Sequence, residues 1–162
     1  MIERDTAMTN GTDTAQRTLV IERSFDAPAH LVFSAWTKPE HLVRWFGPND
    51  FTLPTCEQDF RVGGKYKFCM HAPDGSDHWV YGEYREIREF DRLVFTWTRD
   101  DGQPAPWVDN IVTLTFEEVD GKTRMTMRQA LFNTEAYRDE HQGGWSECFD
   151  RLAIFLTNSA QG

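Results

Sequence analysis

One change of hydrophobic period, close to the C-terminal end, constrains this chain more than any other feature. Between residues 51 and 130 apolar and polar residues alternate in segments separated by turn-forming pairs. Beyond Asn133, which reads as a helix N-cap, apolar residues recur at Trp145, Cys148, Phe149, Leu152, Phe155 and Leu156. Alternation is the two-residue period of strands with one buried face, whereas the later spacing is the 3.6-residue period of a helix. Consecutive strands joined by short turns make an antiparallel meander, and its apolar face must be covered. The last helix, running to about Asn158, is the only element large enough to cover it.

The preceding segments complete the plan. Residues 1–17 are rich in Thr, Asp, Asn and Gly with little to bury, and read as a flexible tail before a single domain over residues 18–158. Residues 18–25 form a first strand. A helix starts near Pro28, a residue suited to a first helical turn, with Leu31, Val32, Ala35 and Trp36 at helical spacing. Pro39 opens a second short helix whose Leu42, Trp45 and Phe46 share a face, and Gly47-Pro48-Asn49-Asp50 ends it. Strands follow over residues 51–60, 65–71, 79–87, 92–99, 109–119 and 122–130. Turns fall at Gly63-Gly64, Pro73-Asp74-Gly75 and Asp120-Gly121, and residues 100–108 form a loop. The fold class is therefore α+β: a curved antiparallel sheet of about six to seven strands around a long C-terminal helix, with two short helices after the first strand. Gly143-Gly144 inside that helix costs about 1 kcal/mol per glycine relative to alanine. The pair marks either a close approach to the sheet or a kink.

Charge and cysteine usage narrow the partners. A net charge of −9 over 162 residues repels phosphate backbones and anionic membranes, so neither nucleic acid nor membrane is an expected partner. Cys56, Cys69 and Cys148 are odd in number and widely spaced, with no Cys-x-x-Cys pair. They read as reduced thiols of a cytoplasmic protein, not as a disulfide framework or a zinc knuckle. The start, Met-Ile-Glu-Arg-Asp, is charged at once, so no secretory signal is expected. No metal and no organic cofactor is expected, because no motif for either occurs. An exposed edge strand is compatible with a monomer or a weak homodimer.

Few residues suggest chemistry. His71 and His78 flank the Pro73-Asp74-Gly75 turn, but Asp and Gly are what a turn requires in any case. His141 and Cys148 share a helix face two turns, roughly 10 Å, apart. That is too far for a nucleophile pair, and they read as a surface histidine and a buried thiol. Glu117 and Glu118 point to opposite faces of a strand. Glu147 and Asp150 flank the helical stripe, where a carboxylate facing a cavity would have a raised pKa.

The residues also resemble a known family. Phe25-Asp26-Ala27-Pro28-Ala29, Ala35-Trp36-Thr37-Lys38-Pro39-Glu40 and Trp45-Phe46-Gly47-Pro48 occur in order. Gly63-Gly64-Lys65-Tyr66, Gly82-Glu83-Tyr84, the segment from Arg92 to Trp97, and Gly144-Trp145 follow. Together they resemble the SRPBCC superfamily, which includes START domains and birch-pollen-allergen-like proteins. Within it they are similar to the branch homologous to the C-terminal domain of the activator of heat-shock protein 90 ATPase. The resemblance implies the helix-grip fold, with a cavity between sheet and helix. It implies no single function, because the superfamily includes carriers, cyclases, oxygenase subunits and co-chaperones. In the full-length co-chaperone a separate N-terminal domain contacts the chaperone, and only some 17 residues precede the first strand here, so direct ATPase activation is not expected.

The aromatic load, six Trp and twelve Phe, serves either a filled core or a pocket. Trp36, Trp45, Tyr66, Phe68, Tyr84, Phe95, Trp97, Trp145 and Phe149 are the candidate ligand-binding residues, with Arg61, Gln129 and Glu147 as further polar candidates. Binding of a small apolar or aromatic molecule in the cavity ranks first. A chaperone-binding module in the stress response ranks second. A cyclase- or dehydratase-type enzyme ranks third, because no acid–base pair stands out and no catalytic residue is assigned.

Overall fold

The computed structural model describes residues 15–100, 110–132 and 134–161. Most of the N-terminal tail, the loop after Asp100 and the Asn133 cap lie outside the described residues. In chain order the elements are β1 (Leu19–Phe25), α1 (Ala29–Thr37), α2 (Pro39–Trp45), β2 (Thr52–Gln58), β3 (Lys65–His71) and β4 (Asp77–Arg88). They continue with β5 (Arg92–Thr96), β6 (Thr98–Asp100), β7 (Ile111–Val119), β8 (Lys122–Ala130) and α3 (Glu135–Gln161).

All strand pairs described are antiparallel. They build one eight-stranded sheet in the order β1-β8-β7-β5-β4-β3-β2, with β6 alongside β4. Alternation chose the faces: Tyr66, Phe68 and Met70 on β3, Leu93 and Phe95 on β5, and Thr123, Met125 and Met127 on β8 all turn inward. Asp120 and Gly121 both have positive φ, at 55° and 79°, as a two-residue hairpin turn requires. Pro54, which cannot donate to a ladder, lies on the edge strand β2.

The strand expected over residues 92–99 is divided at Trp97. β5 and β6 lie on the same side of β4, and the β4–β5 register slips between Tyr84 and Glu86. At the break the backbones nearly touch. A Cβ on Gly82 would stand 2.1 Å from the Thr96 carbonyl oxygen, and Thr96 Oγ1 accepts from the Glu83 N–H at 2.9 Å. Such irregularities bend a strand and sharpen its twist. Alternation cannot reveal one in advance, because it depends on the partner strand's backbone. The extra strand brings the count to eight.

The long helix crosses the inner face. Thr134 caps it, its Oγ1 accepting from Tyr137 N at 3.1 Å. Its buried stripe begins earlier than the apolar spacing indicated, because Tyr137 and His141 continue the i, i+4 ladder back from Trp145. The helix runs unbroken through Gly143 and Gly144. A Cβ built on Gly143 meets nothing within 4 Å, and one on Gly144 meets only Pro48 at 3.6 Å. Neither glycine is needed for close packing. At the other end, Ala29 N at the start of α1 donates to Glu118 Oε1 at 2.7 Å, tying that helix to β7. Among the described residues no helix is long and apolar enough to cross a membrane.

Candidate functional site

The nine aromatic candidates are all buried, and most of them pack against one another. Trp36 stands edge-on to Trp45 at 4.8 Å, and Trp145 stacks on Phe149 at 5.5 Å. Tyr66 lies 5.0 Å from Phe68 and 5.5 Å from Tyr84. Such pairs contribute about 0.5–1.5 kcal/mol each beyond the area they bury. Trp36 Nε1 is buried without a hydrogen-bond partner among the described residues, but the other polar tips are anchored. Trp45 Nε1 donates to the Ala35 carbonyl at 3.2 Å, Gln58 Nε2 donates to the Tyr84 hydroxyl at 2.7 Å, and the Tyr66 hydroxyl donates to the Thr96 carbonyl. Burial pushes both tyrosine pKa values above their ordinary range, so both remain neutral. The space left among Trp36, Tyr66, Phe68, Tyr84 and Phe95 is about 10 Å³, roughly one water. Trp45 and Phe149 are fully buried and do not line this space.

A larger cavity, about 190 Å³, lies beside the first half of α3. Of the nine candidates only Trp97 and Trp145 reach it. Phe46, Phe51 and Met70 complete its apolar walls, while His78, Arg99, Glu140 and His141 supply polar groups. The Trp45-Phe46-Gly47-Pro48 segment explains why one wall is held in place. Gly47 N donates to Cys148 Sγ at 3.2 Å, and Arg151 Nη1 donates to the carbonyls of Gly47 and Pro48 at 3.0 Å. Asn49 N donates to Glu147 Oε1 at 2.9 Å. Gly47 carries φ +114°, a conformation that favours glycine. Gly144 completes the helix side of the cavity with no side chain to fill it.

His141 is buried, contrary to the surface position expected of it, at 4 % exposure. Its polar character hid its place on the helix's inward ladder. The Nδ1 atom lies 3.0 Å from the Tyr137 carbonyl, and Trp97 Nε1 donates to Nε2 at 3.2 Å. A carbonyl only accepts and an indole N–H only donates. These two bonds therefore define the Nδ1–H tautomer. The rings of Phe132 and Tyr137 pack on the imidazole at 4.8 and 4.6 Å. At the cavity's rim Arg99 Nη1 pairs with Glu140 Oε1 at 3.3 Å.

Other candidates fall elsewhere. Arg61 is exposed and paired with Asp59. Glu147 is exposed and spent on Asn49 N, and Asp150 pairs with Arg23 at 2.9 Å. Gln129 is buried in a polar chain: Trp145 Nε1 donates to its Oε1 at 2.8 Å, and its Nε2 donates to Asn110 Oδ1 at 2.6 Å. His71 bonds Asp77 and His78 bonds Ser76. Among the described residues no three metal-ligating side chains converge. All three cysteines are free thiols. Burial pushes Cys148 up to about 12 and Cys56 to about 11, which keeps both protonated and unreactive near neutral pH.

A curved antiparallel sheet gripping one long helix, with a small cavity at one end, defines a helix-grip protein of the SRPBCC type. The family model described as Activator of Hsp90 ATPase homolog 1-like protein matches residues 26–157, and the chain belongs to that family. A crystal structure from Chromobacterium violaceum superposes with a TM-score of 0.79 at 28 % identity, covering 86 % of this chain and 96 % of that one. One from Nitrosomonas europaea gives 0.77 at 25 %, covering 91 % and 99 %. One from Rhizobium leguminosarum gives 0.72 at 28 %, covering 87 % and 94 %. No curated protein matches the chain.

Proposed function

We propose that this protein, acting in the cytoplasm, binds a small aromatic or apolar molecule in the cavity beside α3. The supporting observation is the cavity itself: about 190 Å³, walled by Phe46, Phe51, Met70, Trp97 and Trp145, with few polar groups at fixed positions. That is the composition of a binding pocket. Its size suits one substituted ring, since an apolar cavity of about 150 Å³ holds benzene. A thermal-shift screen of single-ring compounds tests the reading. A ligand at a hundred times its Kd should stabilise the fold by about 2.7 kcal/mol. Uniformly flat melting curves at millimolar ligand would refute it.

The family model supports a second reading, a chaperone-binding module, which a pulldown with micromolar chaperone tests directly. A clean negative there would exclude it. His141 gives a cyclase- or dehydratase-type enzyme one proton-transfer group in the same cavity. Chemical turnover of a bound ligand would separate that case from simple binding.

A further inference from the structure

We infer that the ligand is a hydroxylated ring, of the phenol class, whose O–H inserts between Trp97 Nε1 and His141 Nε2. This rests on the ligand-binding reading and deepens it. Both residues line the cavity. Trp97 Nε1 is a donor only, and His141 Nε2, with Nδ1–H directed at the Tyr137 carbonyl, is an acceptor. They face one another at 3.2 Å, the long end of the range for such bonds. Deeper in the same core, Trp145 Nε1 meets Gln129 at 2.8 Å.

A hydroxyl is the group that complements this pair. Its oxygen accepts from the indole N–H while its proton goes to Nε2, so one bond of 3.2 Å is exchanged for two once the two nitrogens part to about 4.5–5 Å. A carbonyl or ether oxygen accepts from Trp97 but leaves Nε2 without a proton. A methyl group breaks the pair and restores nothing, which costs a buried donor and acceptor their bond. A phenol is the best fit among hydroxyl compounds, because the walls are aromatic and the volume takes one ring. The imidazole is held ready by the Tyr137 carbonyl behind it and by Phe132 against its face. Arg99 at the rim is already paired with Glu140, so the rim does not call for an anionic ligand.

The test is a matched series of nearly equal size: 4-methylphenol, 4-methylanisole and 1,4-dimethylbenzene. Affinities come from calorimetry, and ligand cross-peaks to the Met70 methyl report occupancy of this cavity. The expected result is 4-methylphenol about tenfold tighter than the other two, with cross-peaks to Met70. In Trp97→Phe, which keeps a ring but loses the N–H, the ratio of 4-methylphenol to 1,4-dimethylbenzene affinity should shrink to about threefold or less. In His141→Gln, which returns an acceptor, the preference should survive in part. Equal affinities across the series would overturn the inference and leave the apolar-ligand reading standing. A preference unchanged in Trp97→Phe, or one without Met70 cross-peaks, would also overturn it. No binding by any of the three would remove both readings.

Discussion

The void ringed by Trp36, Tyr66, Tyr84 and Phe95 holds about 10 Å³, whereas the cavity against Trp97 and Trp145 holds about 190 Å³. Both are walled by large aromatics, and both lie between the sheet and the helices. What separates them is the rest of the wall. Around the inner void every neighbouring position carries a bulky side chain, and the rings meet edge to face or tilted. Around the outer cavity Gly47, Pro48 and Gly144 stand where bulk would otherwise fill the space. Interiors pack to near-crystalline density unless a backbone or a small residue prevents it. Aromatic content therefore marks the core, and the small residues beside it mark the opening.

The sharpest way to break this comparison is to truncate one large side chain in each region. Trp45→Ala, in the sealed region, should cost about 4 kcal/mol in denaturant unfolding, while Met70→Ala, on the cavity wall, should cost about 2. Equal losses would mean that the cavity wall is packed as tightly as the core. Next is the bend that carries Trp97 to the cavity. Gly82→Ala forces a methyl to 2.1 Å from the Thr96 carbonyl oxygen. The backbone must shift, and a loss of about 3 kcal/mol is expected, together with altered amide shifts for Trp97. A variant as stable as the parent would show that this approach is not constrained.

Alkaline titration probes the seal on both sides. Cys148 ionises at about 9.0 when unfolded and at about 12 when folded, because burial disfavours the thiolate. Between those values the folded state holds a proton that the unfolded state has lost. Stability is therefore complete below pH 9 and falls as pH rises, by up to about 1.4 kcal/mol per pH unit from this thiol. Tyr66 and Tyr84, with raised values, act in the same direction above pH 10. Unfolding midpoints at pH 8, 9.5 and 10.5 measure the slope; Cys56 and Cys69 are also raised and add to it, so Cys148→Ala should lower the slope without abolishing it. The smallest effect is on Gly144. Alanine there meets only Pro48 at 3.6 Å, so Gly144→Ala should stabilise the helix by about 0.5–1 kcal/mol. Gly144→Leu should fold and abolish every ligand-induced shift. Loss of ligand response with stability kept would tie this cavity, and not the inner void, to binding.

Much of the architecture was legible beforehand. The inward faces of β3, β5, β7 and β8, the Asp120-Gly121 hairpin and the two short proline-started helices follow from period and turn chemistry alone. The site was legible only in part. Trp97 and Trp145 were among the nine candidate rings, but Trp36, Tyr84 and Phe95 looked no different from them and line a closed void. His141 does not show in the sequence as part of the inward face, because a polar side chain does not register in an apolar stripe. Phe46, Phe51 and Met70 each fitted a strand or helix pattern, and none of those patterns says what lies opposite.

The amino-acid sequence by itself determined which segments become strands and helices, which face of each is buried and which family the chain resembles. Those are properties of neighbours a few residues apart, and period and turn residues record them. Only the tertiary structure decided where the interior closes and where it stays open. That depends on which side chains from distant segments meet, such as Gly47 against Cys148, Trp97 against His141 and Gly82 against Thr96. A void is what remains when such meetings fail to fill space, and no single segment carries that information.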